Sequence, residues 1–330
     1  MRTTELTRRS LLLSGAAFGI SMLASCSTTE PSSKNTPSAP TPSKQADHSS
    51  QPQGDLYGAD VYNTQEVADE LVHIDENVQS LDGKPKRVLI TGSTAGAGQL
   101  AAAYLLKRGH AVVAHARNPQ RAADVRRDLP GLEEVVTGDL RHLDETRALA
   151  EQINALGEFD VIVHNAGEYR LSDPEILNAN SLSPYLLTAL VTPPKQLSYL
   201  SPNQHQSGGL RLDEIRSGGG ISYPDSKLHM AMIGIAVARL RPESQVNVVN
   251  PGWIPTMMAL QDGPYSRDDL RAGYMTQVWL AEGIEPGSDI TGTYLFHQKI
   301  DSRVNDLVHD EDAQDQLLAA YAEQTGVTLS

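Results

Sequence analysis

Tyr223 and Lys227 stand four residues apart in Y-P-D-S-K. On a helix, positions i and i+4 share a face, so a phenol and an ammonium would meet the same neighbour. A phenol ionises near pH 10, too high for proton exchange at neutral pH. A cation beside it favours phenolate and lowers that value. Such a pair can trade a proton with an alcohol or a carbonyl; without further motifs it is an ordinary Tyr–Lys pair on a helix surface. A second group supplies context. Val88-Leu89-Ile90 runs into T-G-S-T-A-G-A-G, with glycines at 92, 96 and 98 and with Ser93 and Thr94 between them. A strand, a glycine turn and a helix start in that order let backbone N–H groups approach a pyrophosphate at a helix N-terminus.

Those residues need a scaffold, and the hydrophobic pattern predicts one. Short apolar runs fall at 87–91, 111–115, 134–137, 160–164, 196–201, 245–250 and 292–296. Between most of them lie helix-like stretches at 98–108, 144–156, 180–191 and 223–239. Alternation of this kind implies a mostly parallel sheet covered on both faces. The expected fold is a single doubly wound α/β Rossmann domain with seven strands. Ahead of it, Val67, Leu71, Ile74 and Val78 keep helical spacing over 64–79, with Asn63 and Glu66 as a possible capping box. The stretch 202–220 is polar and glycine-rich and reads as a loop.

On that scaffold more motifs fall into order. Gly138-Asp139-Leu140 follows the third strand and Asn165-Ala166-Gly167 the fourth. Asn180 lies in N-S-L-S-P-Y-L-L-T, and Asn250-Pro251-Gly252 with Thr256 follows the sixth strand. Together with the glycine turn and Y-x3-K, this series resembles the short-chain dehydrogenase/reductase family over residues 87–256. The resemblance implies a hydride-transferring oxidoreductase that interconverts an alcohol and a carbonyl. It assigns Tyr223, Lys227, Asn180 and Ser201 to catalysis. It assigns Gly92, Ser93, Thr94, Gly96, Gly98, Arg117, Asp139, Asn165, Ala166, Gly167, Pro251, Gly252 and Thr256, again with Tyr223 and Lys227, to the cofactor. Family members are commonly dimers or tetramers through the helices carrying Asn180 and Tyr223. The segment 261–277 corresponds to their substrate lid.

One position departs from the family pattern. The fifth strand ends in Leu200-Ser201-Pro202-Asn203-Gln204-His205, where many relatives have two serines and the second is catalytic. Pro202, with no hydroxyl and no N–H, takes that place. Ser201 on a shifted loop, His205 or another donor would then hold the substrate oxygen. The cofactor preference follows from the end of the second strand. Ala116-Arg117-Asn118 offers no acid for a ribose 2′-hydroxyl, and Arg117, 19 residues after Gly98, suits the 2′-phosphate of NADP better than NAD. Rival functions are a non-catalytic nucleotide-binding lipoprotein, or an epimerase or dehydratase on the same scaffold.

The N-terminus reads as an address. Arg8 and Arg9 in T-R-R-S-L-L precede a mostly apolar stretch and Leu23-Ala24-Ser25-Cys26. This pattern fits a twin-arginine export signal over 1–25. It resembles a bacterial lipobox with Cys26 as the lipidated residue. Residues 26–53, rich in Ser, Thr, Pro and Lys, form an expected disordered tether, and the body spans 54–330. The predicted location is extracytoplasmic, held to the membrane by lipid. The net charge of −14 argues against nucleic acid as a partner. A single cysteine excludes an internal disulfide framework or a multi-cysteine metal site. The ten histidines show no H-E-x-x-H spacing. No G-x-S-x-G elbow is present.

Overall fold

The computed structural model describes residues 56–261 and 268–329. The expected signal, Cys26, the whole 26–53 tether and the start of the body at 54 fall outside the described residues. Seven strands follow the apolar runs closely: β1 (Arg87–Ile90), β2 (Ala111–Ala116), β3 (Glu134–Thr137), β4 (Val161–His164), β5 (Gln196–Leu200), β6 (Gln245–Asn250) and β7 (Tyr294–Phe296). They are mutually parallel. The sheet has eight strands rather than seven. A two-residue strand, β8 (Lys299–Ile300), pairs antiparallel with β7, and the order is β3-β2-β1-β4-β5-β6-β7-β8. Two residues carry no periodicity, so the pattern in the sequence had nothing to reveal there.

The helices are α1 (Gln65–Asn77), α2 (Gly96–Lys107), α3 (Pro119–Asp128), α4 (Leu143–Ala155), α5 (Asp173–Leu177), α6 (Ser183–Leu190), α7 (Leu212–Ser217), α8 (Tyr223–Leu240), α9 (Met257–Leu260), α10 (Leu270–Glu282) and α11 (Glu311–Thr325). Successive strand residues point to opposite faces, which divides the core in two. Leu89, Val113, Ile162 and Leu197 pack with residues of α4, α6, α8 and α11. Val88, Ile90, Val112 and Ala114 pack with residues of α1, α2 and α10. Each aliphatic side chain so buried contributes about 2 kcal/mol.

Two elements flank this frame. In α1, Val67, Leu71 and Ile74 are buried as their spacing requires, but the N-cap is Thr64, whose hydroxyl accepts from Val67 N. Asn63 is drawn away to α2. At the other end, α11 lies over the face made by α6 and α8. The Tyr185 and Tyr321 rings meet edge to face at 5.5 Å. Tyr185 Oη donates to the Val327 carbonyl at 2.7 Å. The stretch expected as a loop, 202–220, holds a 3-10 turn (Asn203–Ser207) and α7. Within the segment read as a lid, residues 270–277 belong to α10 and 262–267 are outside the described residues.

Candidate active site

In open α/β sheets ligands sit beyond the carboxyl ends of the strands, where strand order reverses. Here that point lies between β1 and β4. A cavity of about 590 Å³ opens there, lined by the glycine turn, the loops after β2 to β6, and α8 and α9.

Backbone geometry builds its first end. Gly92 has φ +64°, and a Cβ there would stand 2.7 Å from Ala166 Cα. A Cβ on Gly98 would lie 2.4 Å from Asn165 Nδ2 and 2.5 Å from the Gly92 carbonyl. Both positions therefore admit only glycine. Asn165 Nδ2 donates to the carbonyls of Thr91 (2.9 Å) and Gly92 (3.1 Å), which ties β4 to the turn. Buried His115 accepts from Gly92 N through Nδ1 (3.0 Å) and donates through Nε2 to the Gly138 carbonyl (2.8 Å). Burial holds its pKa below the usual range, so it stays neutral and keeps those roles. The N-cap of α2, Ala95, offers no capping side chain of its own, so the first N–H groups of the helix need partners from elsewhere.

The N-terminal segment finishes this end. Asn63 Oδ1 accepts from Gly96 N at 2.8 Å and its Nδ2 donates to Gln99 Oε1 at 2.7 Å. Thr64 donates to the Pro255 carbonyl. Tyr62 lines the cavity with the Arg121 guanidinium 3.5 Å from its ring centroid. Arg121 in turn donates to the Thr94 carbonyl at 2.7 Å. None of this was visible in the sequence, because Asn63 reads locally as a helix cap.

Charges surround the same end. Asp139 and Arg141 form a bidentate pair, with contacts of 2.6 to 3.1 Å. Burial raises the Asp139 carboxyl, but Arg141 outweighs it and the net shift is downward. Arg117 is half exposed, 3.6 Å from Glu168. Burial pushes the Glu168 carboxyl above its ordinary value, against the pull of Arg117 and Arg141. Thr94, Gly96, Gly98, Arg117, Asp139, Asn165, Ala166, Gly167, Pro251, Gly252 and Thr256 all line the cavity. Ser93 does not. Its buried hydroxyl donates to the Ile90 carbonyl and accepts from His115 N, so it braces the turn and its side chain faces away from a cofactor.

Side chains build the second end. Tyr223 is the first residue of α8, fixed by a capping box in which Ser222 N donates to Asp225 Oδ2 (3.0 Å) and Asp225 N to Ser222 Oγ (3.3 Å). Asp225 also accepts from Gly209 N. One turn on, the Lys227 ammonium lies 5.4 Å from the centre of the Tyr223 ring. It presses so near Gly167 that a Cβ there would be 2.7 Å away. Burial lowers Lys227 to about 8, with Glu168 opposing. For Tyr223 the expected direction is reversed. Burial raises its pKa, and Tyr169, edge-on at 4.8 Å, adds to the rise. The lowering read from the sequence counted a cation beside the phenol but not the burial of the phenol itself, which dominates. The phenol is thus protonated and ready to donate.

Asn180 sits in a π-helical turn, Asn178–Leu182, between α5 and α6. It is fully buried and off the cavity wall. Its side chain brackets Glu168, accepting from the N–H at 2.8 Å and donating to the carbonyl at 2.9 Å, and also donates to Ser226 Oγ. It positions the loop after β4 and the start of α8. Ser201 is the larger correction. Strand alternation carries Leu200 and Pro202 to the cavity and Ser201 to the opposite side. Its hydroxyl donates to the Lys227 carbonyl at 2.7 Å. His205 is buried as well, donating through Nδ1 to the Pro202 carbonyl (3.0 Å) and accepting from Asn305 N. Sequence reasoning missed other residues of the cavity wall: Glu168, Gln204 and Met257, and Tyr169 and Met258 beside the Tyr223 ring and hydroxyl. Apart from proximity to a motif, nothing marks them.

Comparison with known proteins bears on the family and the fold. The family description "short chain dehydrogenase" matches residues 86–194. Short-chain dehydrogenase chry4 of Gibberella zeae is 37% identical over 258 residues, covering 74% of this chain and 98% of that protein. A solved protein from Mycobacterium paratuberculosis superposes with a TM-score of 0.63 at 21% identity, covering 77% of this chain and 97% of the other. An NADP active-site complex of Pseudomonas aeruginosa RhlG superposes at 0.54 with 20% identity, covering 66% and 95%. The chain belongs to the short-chain dehydrogenase/reductase family of oxidoreductases and has that family's nucleotide-binding fold.

Proposed function

We propose that this protein is an NADP(H)-dependent oxidoreductase interconverting an alcohol and a carbonyl, with Tyr223 as proton donor and acceptor. One observation carries the proposal: Tyr223 and Lys227, on one face of α8, share a single cavity with the glycine turn. The cavity fits a dinucleotide, since two glycines hold a wall that any side chain would break and α2 begins at that wall. A nicotinamide bound there would supply or accept the hydride. Tyr223, protonated when the site is empty, gives its proton to the oxygen of a carbonyl being reduced. Lys227 holds positive charge beside the phenol and stabilises the phenolate that remains. Tyr169, Trp253, Met257 and Met258 line the cavity and keep water from the reacting atoms. Arg117, whose ion pair to Glu168 spans 3.6 Å, is the group assigned to a 2′-phosphate, and no acid among the described cavity residues of β2 and its loop competes with it.

The rival, a nucleotide-binding protein without turnover, draws on the withdrawn Ser201 hydroxyl. Titrating NADPH into the purified protein and following its oxidation with a panel of aldehydes, ketones and quinones separates the two. Binding with turnover supports the enzyme, and binding without turnover across the panel supports the rival.

Two further proposals concern context. The face of α6 and α8 that relatives use for assembly is covered by α11 of the same chain, so the body is a monomer with respect to that face. Light scattering checks it. The Arg8-Arg9 pair, the apolar stretch after it and Cys26 support export and lipid anchoring, and Cys26→Ser releases the protein from the membrane fraction if this is right.

A further inference from the structure

The family's substrate-oxygen donor is missing from its usual place, yet the cavity that holds Tyr223 and Lys227 is also lined by the polar side chain of Gln204. β5 ends at Leu200, and Ser201 N extends the ladder to the Val249 carbonyl. Alternation then aims the Ser201 side chain into α8, where its hydroxyl binds the Lys227 carbonyl. Pro202 faces the cavity without a donor. The 3-10 turn that follows exposes Asn203, buries His205 with both ring nitrogens engaged, and returns Gln204 to the cavity wall. Gln204 Oε1 is buried and has no hydrogen-bond partner among the described residues. A buried polar atom without a partner is unfavourable unless a ligand completes it.

We propose that the Gln204 side-chain amide binds the substrate oxygen in the position that a serine hydroxyl serves in relatives. This rests on the oxidoreductase reading. An amide has both a donor and an acceptor. With no described protein group bound to Oε1, the amide is free to turn about its last torsion and present Nε2–H to the substrate oxygen, leaving the alcohol O–H to Tyr223. Charge gathers on the substrate oxygen as hydride reaches the adjacent carbon, and a donor already aimed at it lowers the barrier. Tyr223 supplies the proton that converts this oxygen to a hydroxyl. Gln204 neither gains nor loses one.

The test uses NADPH and 9,10-phenanthrenequinone as probe, with wild type, Gln204→Ala, Gln204→Ser, Gln204→Glu and Tyr223→Phe. Gln204→Ala is expected to lower kcat about 100-fold with the NADPH dissociation constant within about twofold of wild type. Gln204→Ser restores about tenfold of the loss, because a hydroxyl donates again. Gln204→Glu gives a rate that falls as pH rises through the carboxylate range, since the ionised group repels the developing charge; wild type lacks that limb. A structural role for Gln204 would not create it. If Gln204→Ala turns over within about threefold of wild type while Tyr223→Phe is inactive, the inference fails and the oxidoreductase reading stands. Loss confined to NADPH binding overturns it as well. If wild type binds NADPH but reduces neither this quinone nor any carbonyl of the panel, the reading beneath it fails and the inference goes with it. Should the alanine variant not fold, the pH limb of Gln204→Glu decides alone.

Discussion

The two ends of the cavity are built by different means. The nucleotide end is made of backbone. Gly92 and Gly98 stand where a Cβ would overlap Ala166 or Asn165, and Asn165 and His115 lock the turn to β4 and β2 through main-chain groups. The reacting end is made of side chains from four separate segments: Tyr223 and Lys227 on α8, Glu168 and Tyr169 after β4, Gln204 after β5, Met257 and Met258 after β6. A backbone site fixes which residues are allowed, and its spacing survives in the sequence. A side-chain site fixes only where groups converge, and different residues can meet that demand. One end therefore follows the family pattern while the other departs from it.

That contrast can be broken by substitution, and the largest effect on nucleotide binding belongs to the backbone end. Gly98→Val places carbon against Asn165 Nδ2 and the Gly92 carbonyl. Overpacking of this kind costs about 3 kcal/mol, and NADPH affinity falls about 100-fold, as measured by denaturation and fluorescence titration. Retained affinity would mean that the turn does not form the nucleotide wall. Arg117→Glu comes next. It weakens NADPH about tenfold while leaving NADH within about twofold, because only the 2′-phosphate loses a partner. Equal losses for both nucleotides would remove Arg117 from that role.

Two substitutions at the reacting end that leave its proton donor in place have smaller effects, and one is a gain. Burial lowers Lys227 from 10.5 to about 8, so the folded chain disfavours the ammonium that the unfolded chain holds readily. The penalty is full below pH 8 and fades as pH rises from 8 through the unfolded value. Lys227→Met in the nucleotide-free protein therefore raises Tm by about 3 °C at pH 7, and the gain disappears above about pH 10. A gain that persisted at high pH would point to packing rather than charge. Ser201→Ala gives the smallest change in turnover. It removes the bond to the Lys227 carbonyl and about 1 kcal/mol of stability, with kcat within about threefold of wild type. A loss of 100-fold would return the serine to the catalytic role expected from the motif.

The legible parts of the molecule share a physical cause. Seven parallel strands and the faces of α1 and α8 were readable because burial imposes a period of two or of 3.6 residues. β8 was not, since Lys299–Ile300 is too short to repeat anything. Tyr223, Lys227 and the glycines stood out through spacing. Ser201 misled because a hydroxyl in the right neighbourhood says nothing about which side of a strand it occupies, and counting from Leu200 along the pleat would have turned it inward. Asn63 misled for the opposite reason. Its local role as a cap was plausible, and its actual partners, Gly96 and Gln99, are more than thirty residues away. Gln204 carried no signal, because its role appears only once Pro202 and His205 have been oriented.

The central claim is that one cavity binds the nucleotide and passes hydride to a substrate whose oxygen receives its proton from Tyr223. The most direct test is label transfer. NADPH carrying deuterium at the transferable C4 position is incubated with wild type or Tyr223→Phe and a carbonyl substrate, and the alcohol product is analysed by mass spectrometry. The account predicts deuterium on the former carbonyl carbon with wild type, and at least about a 100-fold slower appearance with Tyr223→Phe at unchanged nucleotide affinity. Tight NADPH binding with no deuterium in any product, or label transfer at equal rates by both proteins, would contradict it.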